Sequence, residues 1–126
     1  MSTVIAVLPD STDAHMISDS LNREGIAVNV VRSPEDALRM MAGEKTSVVL
    51  YDADTGQPWP DALPRFTAMQ PGVRVVLLTQ CADQRTWLDL FDRGGFDLLP
   101  RPFQAANLRS VVRCALDPPK FFCSAA

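Results

Sequence analysis

Apolar and polar positions alternate along this chain in blocks of two kinds. Short apolar runs occur at Thr3–Leu8, Ile26–Val31, Ser47–Tyr51, Arg74–Thr79 and Phe96–Leu99. Each has the length of a strand, and most are rich in Val, Ile or Leu. Val48-Val49-Leu50 and Val75-Val76-Leu77-Leu78 run on without a polar break. An unbroken run of this length reads as a strand covered on both faces, as in a parallel sheet packed between helices.

Between the runs lie amphipathic segments with helix punctuation. Asp13–Glu24 follows the candidate caps Ser11 and Thr12 and stops at Gly25. Pro34–Met41 opens with Ser33-Pro34-Glu35-Asp36, a cap, a first-turn proline and two acids, and closes at Gly43. Asp61–Met69 also reads as a helix, although it contains Pro64, which a first turn would accommodate. Asp83–Arg93 carries Leu88 and Phe91 on one face and ends at Gly94. Ala105–Leu116 places Leu108, Val111, Val112 and Ala115 at helical spacing and stops before Pro118-Pro119.

The order is βαβαβαβαβα. Right-handed crossovers then give a doubly wound α/β sandwich around a five-stranded parallel sheet. Ligands of such sheets gather at the carboxyl ends of the strands, beside the switch in strand order. The residues at those ends are Pro9 and Asp10, Asp52, Thr79 and Arg101.

Length and composition narrow the function. The chain has 126 residues, enough for one domain, with 118–126 read as a tail or the start of a linker after a domain at 1–117. The net charge of −3, with both signs mixed along the chain, provides no basic footprint for nucleic acid or for a membrane surface. No apolar stretch is long enough to cross a bilayer, and the N-terminus lacks signal-peptide character, so a cytoplasmic protein is expected. Cys81, Cys114 and Cys123 are odd in number and widely spaced, which reads as reduced thiols. The lone His15 has no partner for a zinc site.

Four blocks, in order and at fitting spacing, resemble the receiver domains of two-component response regulators, the CheY-like family of the flavodoxin-like class. Ser47-Val-Val-Leu-Tyr-Asp52 is similar to the family's third strand, and Val75-Val-Leu-Leu-Thr79 to its fourth. Gly94–Phe103 is similar to the fifth strand with its Lys-Pro-Phe end, and Ser33-Pro-Glu-Asp-Ala-Leu38 to the start of the second helix. The resemblance covers roughly residues 3 to 116. It implies a switch in which a histidine kinase or phosphotransfer protein delivers a phosphoryl group to an aspartate, changing the surface offered to partners. Such a domain is not an enzyme in its own right.

By resemblance, Asp52 is the phosphoacceptor, although alone it would read as a turn-forming strand-end aspartate. Thr79 stands for the switch hydroxyl, and Arg101 stands where the family has lysine. A guanidinium is a planar fork, not a compact point charge, so the two cations are not equivalent. The Arg101–Pro102 peptide is expected to be cis. The family's adjacent acids at the end of the first strand, which hold a divalent metal, fall on Leu8-Pro9, or on Pro9-Asp10 in a register shifted by one residue. Magnesium would therefore depend on Asp10, Asp52 and Asp54, with reduced affinity. Leu98 replaces the family's aromatic switch residue, and the loop Asp52–Pro60 is stiffened by Pro58 and Pro60. Trp87 replaces a small residue on the fourth helix. It reads either as half-buried packing or as a partner anchor on the family's output face, which also leaves a homodimer open.

Two main readings follow. In the first, Asp52, Thr79 and Arg101 make a phosphorylatable receiver. In the second, Leu8-Pro9, Leu98 and the altered loop make a degenerate pseudo-receiver, an interaction module of the same fold working without phosphate. The departures tilt the balance slightly toward degeneracy. A flavodoxin-like cofactor protein is disfavoured, because Leu8–Asp13 has no glycine to cradle phosphate and two acids to repel it.

Overall fold

The computed structural model describes residues 3–10 and 13–117. The caps proposed at Ser11 and Thr12, the Pro118-Pro119 stop, Cys123 and the 118–126 tail lie outside the described residues. The elements run β1 (Thr3–Val7), α1 (Ala14–Asn22), β2 (Ala27–Val31), α2 (Pro34–Gly43), β3 (Val48–Asp52), α3 (Trp59–Met69), β4 (Arg74–Thr79), α4 (Gln84–Asp92), β5 (Asp97–Pro100) and α5 (Ala105–Leu116).

The five strands form one parallel sheet in the order β2-β1-β3-β4-β5. The direction of winding reverses between β1 and β3, so the crevice of the fold opens at their carboxyl ends. β3 is central and wholly buried, which is why its sequence shows no polar break. Its alternate side chains enter two different layers. Val48 and Leu50 join Val4, Ala6, Val76 and Leu78 under Ile17 and Leu21 of α1 and Leu108 and Val112 of α5. Val49 and Tyr51 join Ile5, Val7, Val75 and Leu77 under α2, α3 and Leu90 of α4. β2 lies at the sheet edge and is correspondingly less buried.

Local chemistry fixes the helix ends. Ser33 accepts from the Asp36 N–H at 3.2 Å and Asp83 accepts from the Thr86 N–H at 2.8 Å, so both cap a helix as their residue types favour. α3 starts two residues earlier than the sequence pattern suggested, with Pro60 in its first turn, so Pro64 lies inside the helix on its exposed side. α4 presents a different face from the one expected. Leu90 is its buried residue, whereas Leu88 and Phe91 point outward with Trp87. At the opposite end of the sheet from the crevice, Arg74 donates to the carbonyls of Ala115 and Asp117, satisfying acceptors that the end of α5 leaves open. The Arg74 guanidinium lies 5.4 Å from the centre of the Phe96 ring.

Candidate functional site

The carboxyl ends of the strands converge on a shallow cleft of about 200 Å³ lined by Asp10, Asp13, Asp52, Asp54, Thr55, Gln80 and Arg101. Asp52 ends β3 and is 4% exposed. The turn that follows folds back on it. Its Oδ1 accepts from the Asp54 N–H at 2.9 Å, and its Oδ2 accepts from the Thr55 hydroxyl at 2.8 Å. Tyr51, one residue earlier, donates its hydroxyl to the Gln57 carbonyl at 2.6 Å and pins the far side of the same loop. Burial pushes the Tyr51 phenol up to about 12, so it stays a donor throughout the working pH range.

Thr79 ends β4, the strand beside β3, and is 3% exposed. Its hydroxyl donates to Asp54 Oδ1 at 2.8 Å and accepts from the Cys81 N–H at 3.0 Å. The other Asp54 oxygen accepts from the Gln80 N–H at 2.9 Å. In this arrangement the hydroxyl of Thr79 is therefore committed to Asp54, not to Asp52.

Arg101 follows β5, and its peptide to Pro102 is cis. Its guanidinium lies among three carboxylates. Nη1 donates to Asp13 Oδ2, Nη2 lies 3.4 Å from Asp52 Oδ2, and Nε lies 3.4 Å from Asp54 Oδ2. Nε and Nη2 are buried and make no hydrogen bond, so those two contacts are ionic. The Arg101 side chain is 16% exposed, and its guanidinium carbon lies 5.9 Å from the Phe103 ring centre.

Sequence reasoning took Asp13 as the start of a helix and as an acid that would repel a phosphate, not as a partner of Arg101. It is the residue before α1, but its side chain makes no capping bond and goes to Arg101 instead. The available signal was the number of acids near the strand ends, which one fixed guanidinium can satisfy together. Asp10 is exposed at the rim of the cleft.

The donor set can be tested against a divalent metal. Leu8 is 1% exposed in the core, and neither it nor Pro9 has a side-chain ligand to offer. The Pro9 ring instead supports the loop after β3: a Cβ on Gly56, which has φ +75°, would stand 2.7 Å from Pro9 Cγ. The oxygens of Asp52 and Asp54 are engaged by backbone, hydroxyl and guanidinium donors. Among the described residues no group of three or more His, Cys, Asp or Glu side chains is disposed to hold a metal ion. As folded, these residues fit a guanidinium and do not fit a divalent cation.

No protein-family model matches the chain. The DNA-binding transcriptional regulator NtrC of Azospirillum brasilense is 24% identical over 117 residues, covering 92% of this chain and 24% of that protein. The NtrC of a Bradyrhizobium strain is 26% identical over 123 residues, covering 94% of this chain and 25% of that protein. The chain thus spans about a quarter of the length of these curated relatives. Among solved structures, the beryllofluoride-activated NtrC4 receiver domain dimer superposes with a TM-score of 0.84 at 16% identity, covering 91% of this chain and 96% of that one. The chemotaxis protein CheY4 of Vibrio cholerae superposes with a TM-score of 0.83 at 18% identity, covering 92% and 99%. The fold is that of a CheY-like receiver domain.

On this receiver fold Trp87 lies away from the cleft, on α4. It is 38% exposed and packs against Phe91 in a tilted pair, at 4.7 Å between ring centres. With Leu88 at 58% and Phe91 at 51% exposure, it forms an apolar strip along the outer face of the helix. No helix among the described residues is long and apolar enough to cross a membrane.

Proposed function

We propose that this chain is the receiver domain of a two-component response regulator, accepting a phosphoryl group on Asp52 from a histidine kinase or phosphotransfer protein. The observation that carries the reading is the position of Asp52. It is the one acid that ends the central strand, at the crevice of a doubly wound sheet, with a hydroxyl on the next strand and a cation after the strand beyond. In the transfer, an Asp52 carboxylate oxygen attacks the phosphorus of a phosphohistidine. The P–N bond breaks, its electron pair stays on the imidazole, and the ring nitrogen is reprotonated from solvent. Each Asp52 oxygen accepts one hydrogen bond, Oδ1 from the Asp54 N–H and Oδ2 from the Thr55 hydroxyl, which lowers its nucleophilicity but leaves a lone pair for the attack. The Arg101 guanidinium, already within ionic reach of Oδ2, then faces the charge that builds on the phosphoryl oxygens.

The functional domain is residues 1–117, with 118–126 a tail or linker, and it works in the cytoplasm as a signalling module without an enzymatic reaction of its own. Its output surface is the α4–β5–α5 face, with Trp87 as anchor for a partner or for a second copy of the chain. The test is intact mass after incubation with a small phosphodonor and magnesium. A labile adduct of one phosphoryl group is expected on the wild type and not on Asp52→Asn. Its absence from the wild type, with the cognate donor as well, would refute the phosphoacceptor reading and leave a phosphorylation-independent interaction module.

A further inference from the structure

We infer that Arg101 is the resident cation of this cleft: its guanidinium takes the place of a divalent metal among Asp13, Asp52 and Asp54 and keeps such an ion out. The inference rests on the receiver reading only in treating this cleft as the acceptor pocket.

The geometry argues in three steps. First, the guanidinium places a different nitrogen toward each of the three carboxylates, Nη1 toward Asp13, Nη2 toward Asp52 and Nε toward Asp54. A lysine ammonium is a single point and would engage fewer of these groups at once, whereas the planar fork can face all three. Second, the cation is held from both ends. Its side chain is 16% exposed, it lies against Phe103, and the carboxylates come from the start of α1, the end of β3 and the loop after β3. It is part of the wall of the cleft and not a surface side chain that swings in. Third, the end of β1 carries the buried Leu8 followed by Pro9, so that strand supplies no adjacent acid pair to hold a metal against the guanidinium's repulsion. Even at the dielectric constant of water, a divalent ion about 4 Å from a fixed unit positive charge loses about thirtyfold in affinity. In the partly buried cleft the loss is greater.

The three carboxylates thus face a positive charge that belongs to the chain itself. A receiver built this way has its acceptor pocket poised at any magnesium concentration, and its signalling state is uncoupled from divalent ions.

The experiment is a titration of the whole 15N-labelled chain with Mn2+, followed by amide line broadening, in the wild type, Arg101→Ala and Arg101→Lys. It needs no phosphorylation, so a failure of the phosphoacceptor reading leaves it interpretable. The wild type should show no saturable broadening at the amides of Asp13, Ala53, Asp54 and Gln80. Arg101→Ala should show it, with affinity raised by about thirtyfold or more. Arg101→Lys, which keeps a cation and most of the stem, should be intermediate, and it serves as the reading if the alanine variant loses its dispersed spectrum. Saturable broadening around the cleft in the wild type would overturn the proposal. So would silence in all three proteins, because something other than the guanidinium would then exclude the ion.

Discussion

Replacing Gly95 with alanine should dislodge α4 from the sheet. Gly95 links α4 to β5, and its backbone lies against the one buried side chain of that helix. A Cβ built there stands 2.1 Å from Leu90 Cδ1, 2.5 Å from Leu90 Cγ and 3.1 Å from the Leu90 carbonyl oxygen. Leu90 is 0% exposed, so it has nowhere to go within the core. Bringing Cδ1 out to ordinary contact at 3.4 Å needs a shift of about 1.3 Å, which a close-packed interior does not grant without moving the helix. Overpacking on this scale costs about 1–3 kcal/mol, and expelling Leu90 altogether would cost about 2–5 kcal/mol. We expect a loss of about 2–3 kcal/mol, or about 1 M or more in the urea midpoint at ordinary slopes. Gly94→Ala is the matched control. It has open space around its Cβ but a φ of +88°, so it should lose only the strain of a left-handed alanine, about 1–2 kcal/mol. A double-mutant cycle separates the causes. In a Leu90→Ala background both side-chain clashes are gone and only the Leu90 carbonyl oxygen at 3.1 Å remains close, so Gly95→Ala should cost about 1 kcal/mol, a coupling of roughly 1–2 kcal/mol. Urea unfolding followed by circular dichroism measures all four corners. Additive losses at positions 90 and 95 would refute the steric argument.

Two further outcomes are expected. Burial holds the Asp97 carboxyl above its ordinary value of 3.8, so the native state binds the proton more tightly than the unfolded chain does. Stability should therefore fall as pH rises from about 4 through the folded value. Asp97→Asn, which keeps an acceptor for the Leu98 N–H, should be more stable than wild type at neutral pH and should flatten that slope in urea titrations run from pH 4 to 8. Tyr51→Phe removes the donor to the Gln57 carbonyl and should cost about 0.5–1.5 kcal/mol. Faster hydrogen exchange at the Asp54 and Thr55 amides would show that the loss is local to the loop after β3.

The sheet was legible because the interior positions of β3 and β4, Val48–Tyr51 and Val75–Leu78, must be apolar to serve two layers, a demand that leaves an unbroken run in the sequence. The starts of α2 and α4 were legible for a local reason, since Ser33 and Asp83 cap the next turn from within three residues. The start of α3 was not. Pro58 and Pro60 read as loop stiffeners, but a proline in the first turn needs no N–H partner and can open a helix as readily as a loop. The orientation of α4 was also hidden. Trp87, Leu88 and Phe91 outnumber Leu90, so the apolar stripe pointed to the wrong side; only the packing around Gly95 shows which side meets the sheet. In the cleft, Asp52, Thr79 and Arg101 could be placed from strand ends alone. The link from Arg101 to Asp13 spans 88 positions and is created by the fold.

Arg74 has a mechanical consequence. It ties the carbonyls of Ala115 and Asp117, at the end of α5, to the first residue of β4, so this helix end is anchored to the sheet. Tension applied beyond Asp117 would load β4 in shear before it could peel α5 turn by turn. Torque from a moving neighbour would likewise be transmitted into the sheet and not dissipated in a fraying helix end.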